Sequence, residues 1–513
     1  MKTRMLCGLV LLASLASWSS ADEDRTLTLH TRCRPAVDGD GSQFGLAYET
    51  VQWDATKTAI VICDMWNQHW CKSATARVAE MAPRMNRLVD EARRRGVLII
   101  HAPSSTLDTY KDTPGRKLAE QAPKVEPKTP LQGWCRLDPE REKGGLPIDD
   151  SDGGCPCQPR CPGGNPWTSQ IDTLTIAPGD AITDSAEAYY LMRQRGIENV
   201  IVMGVHTNMC VLGRPFGIRQ MVNQGMRVLL VRDMTDTMYN PRMRPKVSHF
   251  RGTELVVEHI EKFWCPTITS ADFLGGAAFH FKEDRRPHVV FLISEDEYHA
   301  DETLAAFAQL LRDRSGDRCT VVLGHGKQDL SGVEALASAD LAVVYVRRRA
   351  FPKEQLDVLR EYLAAGKPLI GLRTASHAFS IKRDSPEGLD QWPEFDNDVL
   401  GGNYHGHGSN AVGTDVTVVS EAAGHPILAG VDTAAWHSEG SLYNVLPIDE
   451  KATVLLHGTA PDMADPIAWT RTYQGGRIFY TSLGYRTDFD QPQFRRLLIN
   501  AVDWALDRQA PEQ

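Results

Sequence analysis

Two short stretches of the chain carry side chains able to do covalent chemistry. One is Ile62-Cys63-Asp64-Met65-Trp66-Asn67. The other is Gly204-Val205-His206-Thr207-Asn208-Met209-Cys210-Val211. Each follows an apolar, β-branched run of the kind that forms buried strands, Thr58 to Cys63 and Asn199 to Val205. A cysteine that leaves a strand and opens a helix feels the positive helix end, which favours its thiolate. A carboxylate at a neighbouring strand end can take the thiol proton and deliver it to a leaving group. Backbone N–H groups of the turn around His206, Thr207, Asn208 and Met209 can hold a developing oxyanion. The same residue types have simpler uses: a strand-end aspartate often caps a helix, and a lone cysteine is often a small buried hydrophobe. The pattern names Cys210 as candidate nucleophile and Asp64 as its candidate base. Trp66, Asn67, His101, Asp184 and Asp236 are candidate pocket residues. The segments His101 to Ser105 and Arg232 to Asn240 also follow strands, and either line the pocket or form polar turns.

These residues need a scaffold that brings distant strand ends together. Helical spacing runs from Ala74 to Arg95 and stops at Gly96, and a strand follows at Val97 to His101. A Pro-, Gly- and charge-rich interruption covers about 103–170, long enough to be a lid or functional insertion. A helix at Ser185 to Arg195, the strand before Cys210, a helix from Cys210 to Gln224, a strand at Arg227 to Val231 and a helix at Thr253 to Lys262 complete the series. Alternating strands and helices predict a doubly wound parallel sheet, whose strand ends at the carboxyl edge form sites. The pattern lapses over 266–286 and a second α/β series begins near residue 287, β-rich toward its end and closed by a helix at Gln493 to Leu506. The expected architecture is therefore α/β: two doubly wound, Rossmann-like domains at 45–265 and 287–510.

The chain of 513 residues exceeds one ordinary core. Its net charge of −10 with scattered basic residues argues against nucleic-acid binding. Lys2 and Arg4, the apolar run Leu6 to Leu15, and Ser19-Ser20-Ala21 before an acidic stretch read as a signal peptide at 1–21, hence export to the periplasm or beyond. No stretch is long and apolar enough for a membrane span. Four of the 11 cysteines, Cys135, Cys155, Cys157 and Cys161, lie in the long insertion. Their spacing is irregular for zinc, so in an oxidising compartment they read as disulfide staples of that loop.

The two chemistry-bearing motifs resemble the signatures of isochorismatase-like cysteine hydrolases, a superfamily that includes nicotinamidases and other amidases, over roughly 50–265. The resemblance implies Cys210 as nucleophile, Asp64 as base, an oxyanion hole at the Cys210 turn and a cis peptide at Val205-His206. It also calls for a catalytic lysine, yet the matching stretch Ala177 to Ser185 holds none. Lys111, Lys117 and Lys124 in the insertion are the lysines that could reach in. The nicotinamidase metal site has no evident counterpart, His69 and His101 being the nearby histidines.

The second half resembles ThuA-like (trehalose-utilisation) domains, relatives of class I glutamine amidotransferases. The resemblance rests on Pro368 to Phe379, Gly401 to His407 and Gly475 to Tyr485. The amidotransferase elbow cysteine is replaced by Arg373 in Gly371-Leu372-Arg373, so glutamine hydrolysis is not expected. The strand ends instead gather Glu295, His299, Arg373, His377, His405, His407 and His437. That set suits a carbohydrate-like ligand, acid–base work or a metal on His405-x-His407.

Together these readings describe an exported cysteine hydrolase acting on a C–N or related bond of a small molecule, with a sugar-binding second domain. No organic cofactor is expected, and self-association stays open. Two alternatives remain. One is a catalytically weakened binding or scaffold protein; the other is a sugar-processing enzyme with its chemistry in the second domain.

Overall fold

The structure, a computed structural model, describes residues 25–38, 43–324, 326, 328–432, 434 and 436–508. The expected signal peptide at 1–21 lies outside the described residues. Among those residues the first sheet has eight strands: β1 (Thr26–Cys33), β2 (Ala47–Asp54), β3 (Thr58–Cys63), β4 (Leu98–Ala102), β5 (Ala181–Ile182), β6 (Asn199–Val205), β7 (Arg227–Asp236) and β8 (Thr267–Ile268). Their order is β2-β1-β8-β7-β6-β3-β4-β5. From β8 to β5 all neighbours are parallel. Every residue of β3 and β6 is buried, as a sheet covered on both faces requires. Ile60 and Ile62 of β3 pack with Val78, Met81, Met85 and Leu88 of the Lys72–Arg94 helix. Ala59 and Val61 face the other way, among Leu191, Met221, Val256 and Ile260.

The chain runs outward from β3 to β4 and β5, then returns to place β6 on the other side of β3. This reversal is the point at which ligands bind in open α/β sheets. It sets Cys63 beside Gly204, one residue before Asp64 and six before Cys210. The approach is tight: a Cβ on Gly204 would lie 2.1 Å from the Cys63 carbonyl oxygen, and its φ is +106°. Only glycine satisfies both conditions.

Several elements depart from expectation. The strand β1 precedes the anticipated start of the domain, and its antiparallel hairpin with β2 joins the sheet through β8. The supposed linker 266–286 thus opens inside the first sheet. The expected helix from Cys210 to Gln224 is two pieces, Cys210–Gly213 and Ile218–Asn223. Pro215 is the cause: it has no N–H, and it drives the preceding Arg214 out of helical geometry to φ −66°, ψ 159°. The insertion holds one short α-helix, Pro114–Glu120, preceded by a 3-10 turn at Leu107–Tyr110.

The second sheet has nine strands among the described residues, and its parallel half reads Arg318–Leu323, His288–Ser294, Leu341–Val346, Leu369–Leu372 and Gly476–Thr481. The antiparallel strands Met463–Tyr473, Thr453–Ala460, Thr414–Val418 and His437–Ser438 extend it. Both halves are thus mixed α/β with a doubly wound parallel core. Arg251 meets Asp313 at 2.8 Å and Arg34 meets Gln309 at 2.8 Å across their junction. Among the described residues, no helix is long and apolar enough to cross a membrane.

The insertion is fastened by a buried charge. Glu142, fully buried, accepts from Arg219 Nε at 2.9 Å, Arg219 Nη2 at 2.7 Å and His259 Nε2 at 2.7 Å. Burial alone would raise its carboxyl, but the His259 and Arg219 hydrogen bonds hold it at about 2 against an ordinary 4.5. The stabilisation is therefore complete above pH 4.5 and is lost as pH falls toward 2. Arg219→Met should cost about 3 kcal/mol, the low end for breaking a buried pair, because His259 still donates. A shift of the urea midpoint at pH 7 that shrinks progressively below pH 4.5 is the expected result.

Candidate active site

Asp64 leaves β3 with φ +48° and is fully buried. Its Oδ1 accepts the Ser104 N–H at 2.8 Å, from the turn that follows β4. Its Oδ2 has no hydrogen-bond partner of good geometry and lies 3.8 Å from Arg214 Nε, with the Cys210 thiol against the same carboxylate. Cys210 opens the four-residue helix after β6 and is 9% exposed. Burial pushes the Asp64 carboxyl up, and the Arg214 guanidinium beside it pulls it back. Burial and then the Asp64 charge push the Cys210 thiol well up, while Arg214 opposes them. Burial and the neighbouring Asp64 thus favour a neutral thiol, which suits proton removal during attack better than a standing thiolate.

Arg214 is the residue that sequence reasoning misses. The resemblance calls for a lysine before β6, and Lys111, Lys117 and Lys124, the substitutes named for it, are all exposed. The signal is the dipeptide Arg214-Pro215 four residues after the cysteine: proline forces the arginine out of the helix, and its side chain turns back over Asp64. The guanidinium also lies 5.6 Å from the centre of the Trp134 ring, a residue of the insertion.

The turn between β6 and Cys210 is strongly tied. The Val205-His206 peptide is cis. Thr207 donates its N–H to Asp236 O at 2.9 Å and shares a 2.7 Å hydroxyl contact with Thr235. The Met209 N–H is committed to His206 O at 2.9 Å. Asn208 accepts the Met238 N–H and donates to Asp150 Oδ2 at 2.7 Å. The backbone N–H groups of Thr207 and Met209 therefore serve the turn itself. His206 is buried and pushed down to about 3, by burial first and by neighbouring His69 second, so its imidazole is neutral at ordinary pH.

The pocket candidates separate into two kinds. Trp66 stacks on Trp167 of the insertion with centroids 4.4 Å apart, and His69 stacks on Trp167 and meets His206 edge-on. Asn67 accepts the Thr168 N–H and donates to its hydroxyl, fixing the same part of the insertion. Asp184 accepts the Ser105 N–H at 2.9 Å and so steadies the turn that holds Asp64. His101 and Asp236 do not line a pocket. His101 is fully buried between Gln170 and Asp180. Asp236 is buried between Arg77 at 2.7 Å and His249 at 2.8 Å, which hold its carboxyl far below the usual range despite burial.

In the second half a cavity of about 770 Å³ opens at the carboxyl edge, lined among others by Arg347, Arg348, His377, Asp396, His405 and His407. His377 stacks on Tyr404 at 4.3 Å, and burial followed by the charges of Arg348 and Arg347 keeps it neutral. Arg373 occupies the elbow with φ +43°, buried beneath Tyr298, Tyr443 and Tyr485. Three of the expected residues fall elsewhere. Glu295 spends its carboxylate on the N–H groups of Glu297, Tyr298 and Ala300. His299 is an exposed residue leading into the Ala300–Ser315 helix. His437 pairs with Asp415 on the sheet's outer edge. Among the described residues His405 and His407 gain no third ligand, so the metal weighed as one option there has no set to hold it. Asp396 was not anticipated: its Oδ1 is buried without a partner and burial lifts its carboxyl to about 7, against the Tyr404 N–H that accompanies it.

Residues 289–505 match the family model described as ThuA, trehalose utilisation. Among solved structures the chain is similar to a ThuA-like protein from Parabacteroides merdae, at 17% identity, over 45% of this chain and 93% of that one, with a TM-score of 0.36. It is similar to a cysteine hydrolase from Pseudomonas syringae pv. phaseolicola, at 17% identity over 43% and 92% of the two chains and a TM-score of 0.27. An isochorismatase family protein from Desulfovibrio vulgaris is similar at 16% identity over 42% and 95%, with a TM-score of 0.25. No curated protein matches the chain.

The charges around Cys210 make opposite demands on it. Asp64→Asn removes a negative neighbour and should speed iodoacetamide alkylation of Cys210 about tenfold at pH 8, one pKa unit's worth. Arg214→Ala should slow it by a similar factor. Peptide-resolved mass spectrometry reads both rates, and shifts in the same direction would contradict this electrostatic account.

Proposed function

We propose that the protein is a hydrolase that cleaves a C–N or related bond of a small molecule through Cys210. The observation that carries this reading is the apposition of Cys210, Asp64 and Arg214 at the point where the strand order of the first sheet reverses. In the proposed reaction the Cys210 sulfur attacks the electrophilic carbon as its proton passes to Asp64. The negative charge that develops on oxygen falls to the backbone N–H at the start of the Cys210 helix. Arg214 keeps the Asp64 carboxylate charged before attack and in place during it. Collapse expels the amine, which takes the proton from Asp64, and water then releases the acyl group from sulfur.

Arg214 removes the motive for reading the first half as a decayed scaffold, since a cation does stand beside the dyad. The stacked rings of Trp66, Trp167 and His69 suit a flat or aromatic portion of the substrate. We assign the second-half cavity to a polyhydroxylated ligand. Its polar rim, with Tyr404 and His377 stacked within it, offers both hydrogen bonds and a ring face. Export through the 1–21 segment belongs to the same proposal.

The test is turnover of a panel of small amides and related esters by the full chain. Cys210→Ala and Asp64→Asn should each abolish turnover, and Arg214→Lys should retain more than Arg214→Ala. The Asp64→Asn protein should thus alkylate faster and turn over slower than wild type. Full turnover by Cys210→Ala on any substrate that wild type cleaves would sink the assignment.

A further inference from the structure

Four thiols that are scattered in sequence meet at one place. Cys71 precedes the Lys72–Arg94 helix, and Cys155, Cys157 and Cys161 lie on one turn of the insertion. Their four sulfurs all fall within 4.8 Å of one another, and Cys71, Cys155 and Cys161 are buried. All are free thiols. Cys135, expected to join them, instead sits apart against Gln220.

The spacing discriminates between uses. A disulfide needs sulfurs about 2.05 Å apart. Four thiolates at about 2.3 Å around a tetrahedral ion stand about 3.8 Å from each other. Cys71 and Cys157 are 3.9 Å apart. The surroundings also fit a charged thiolate cluster. The Lys72 N–H, the first of a 23-residue helix, points at Cys161 Sγ from 3.5 Å. The Ser73 hydroxyl lies 3.3 Å from Cys157 Sγ and 3.2 Å from Cys71 Sγ. Such outer partners hold thiolates in place and offset their charge. The loop backbone is shaped for close approach. A Cβ on Gly154 would lie 2.3 Å from the Met238 carbonyl carbon, so only glycine lets Cys155 come near. Pro156, Pro159 and Pro162 limit the freedom the loop loses on closing.

We propose that Cys71, Cys155, Cys157 and Cys161 bind one zinc ion as a tetrathiolate. Four thiolates leave no open position, so the ion is structural and takes no part in the reaction. It staples the insertion to the start of the Lys72–Arg94 helix, directly behind the catalytic wall. The Cys71 N–H meets His69 Nδ1 at 3.1 Å, and His69 packs on Trp66, Trp167 and His206. Just upstream of the thiols, Asp150 and Asp152 hold Asn208 and Asn240. The staple therefore fixes the part of the insertion that faces the Cys210 turn.

The test uses the full chain purified without chelator. Elemental analysis by mass spectrometry should find one zinc per chain. Cys71→Ser and Cys157→Ser should lose it, and Cys135→Ser should keep it. Should the first two variants not fold, mercurial titration of the wild type decides: zinc should be released in step with modification of these four thiols. A metal-free protein whose intact mass is lower by four hydrogens would mean two disulfides and overturn the proposal. Full zinc retention by a Cys71→Ser/Cys157→Ser double variant would overturn it as well.

Discussion

A carboxylate must stay usable in the dry interior of the first sheet, and the rest of the site is arranged around that constraint. Asp64 is fully buried at the end of β3, where an ionised group without partners would simply take up a proton. Two groups resist this. The Ser104 N–H binds one oxygen, and the Arg214 guanidinium stands off the other, which is left open toward Cys210. In the proposed reaction the open oxygen is the one that takes the thiol proton. An Oδ2 saturated by a close, bidentate arginine would hold its charge more firmly and take the thiol proton less readily. A cation at 3.8 Å supports the charge while leaving the base its basicity.

That arrangement depends on backbone features spread along the chain. β3 and β6 must be neighbours, which follows from the outward-and-back winding of the sheet. Gly204 must let the two backbones nearly touch. Ser104 must turn back after β4, and Asp184 secures that turn through Ser105. Pro215 must end the Cys210 helix after one turn, so that Arg214 leaves it in an extended conformation. None of these residues has a part in the proposed reaction, yet each sets a coordinate of Asp64, Cys210 or Arg214.

The doubly wound architecture and the placement of Asp64 and Cys210 were legible in the sequence, because parallel strands covered on both faces write continuous apolar runs and their ends mark the carboxyl edge. What escaped was anything that depends on long-range pairing. The β1–β2 hairpin carries polar residues on an edge, with a burial pattern too weak to stand out from a loop, and it finds its place through distant partners, β8, Glu261 and Asp272. The histidines of the second half were gathered by type, which is the wrong criterion. Glu295 is consumed by three backbone N–H groups and His437 by Asp415, whereas Asp396, which sequence offers no reason to select, keeps a buried oxygen unpartnered in the cavity.

The cysteines make the same point about range. Read along the chain, Cys135 is the natural partner of the three thiols downstream, and Cys71 belongs to a helix start more than eighty residues away. The fold reverses this. The insertion passes Cys135 along the Ile218–Asn223 helix, to Gln220, and then brings its Pro-rich turn against Met209, Met238 and the start of the Lys72–Arg94 helix, where Cys71 lies. The Glu142 ion pairs anchor the insertion midway between these two points. A loop of this length would otherwise lose much conformational entropy by ordering. Fastened at Glu142, at the thiols and at the Trp66–Trp167 stack, it becomes a fixed wall beside Cys210, and the geometry of the site belongs to the insertion as much as to the sheet.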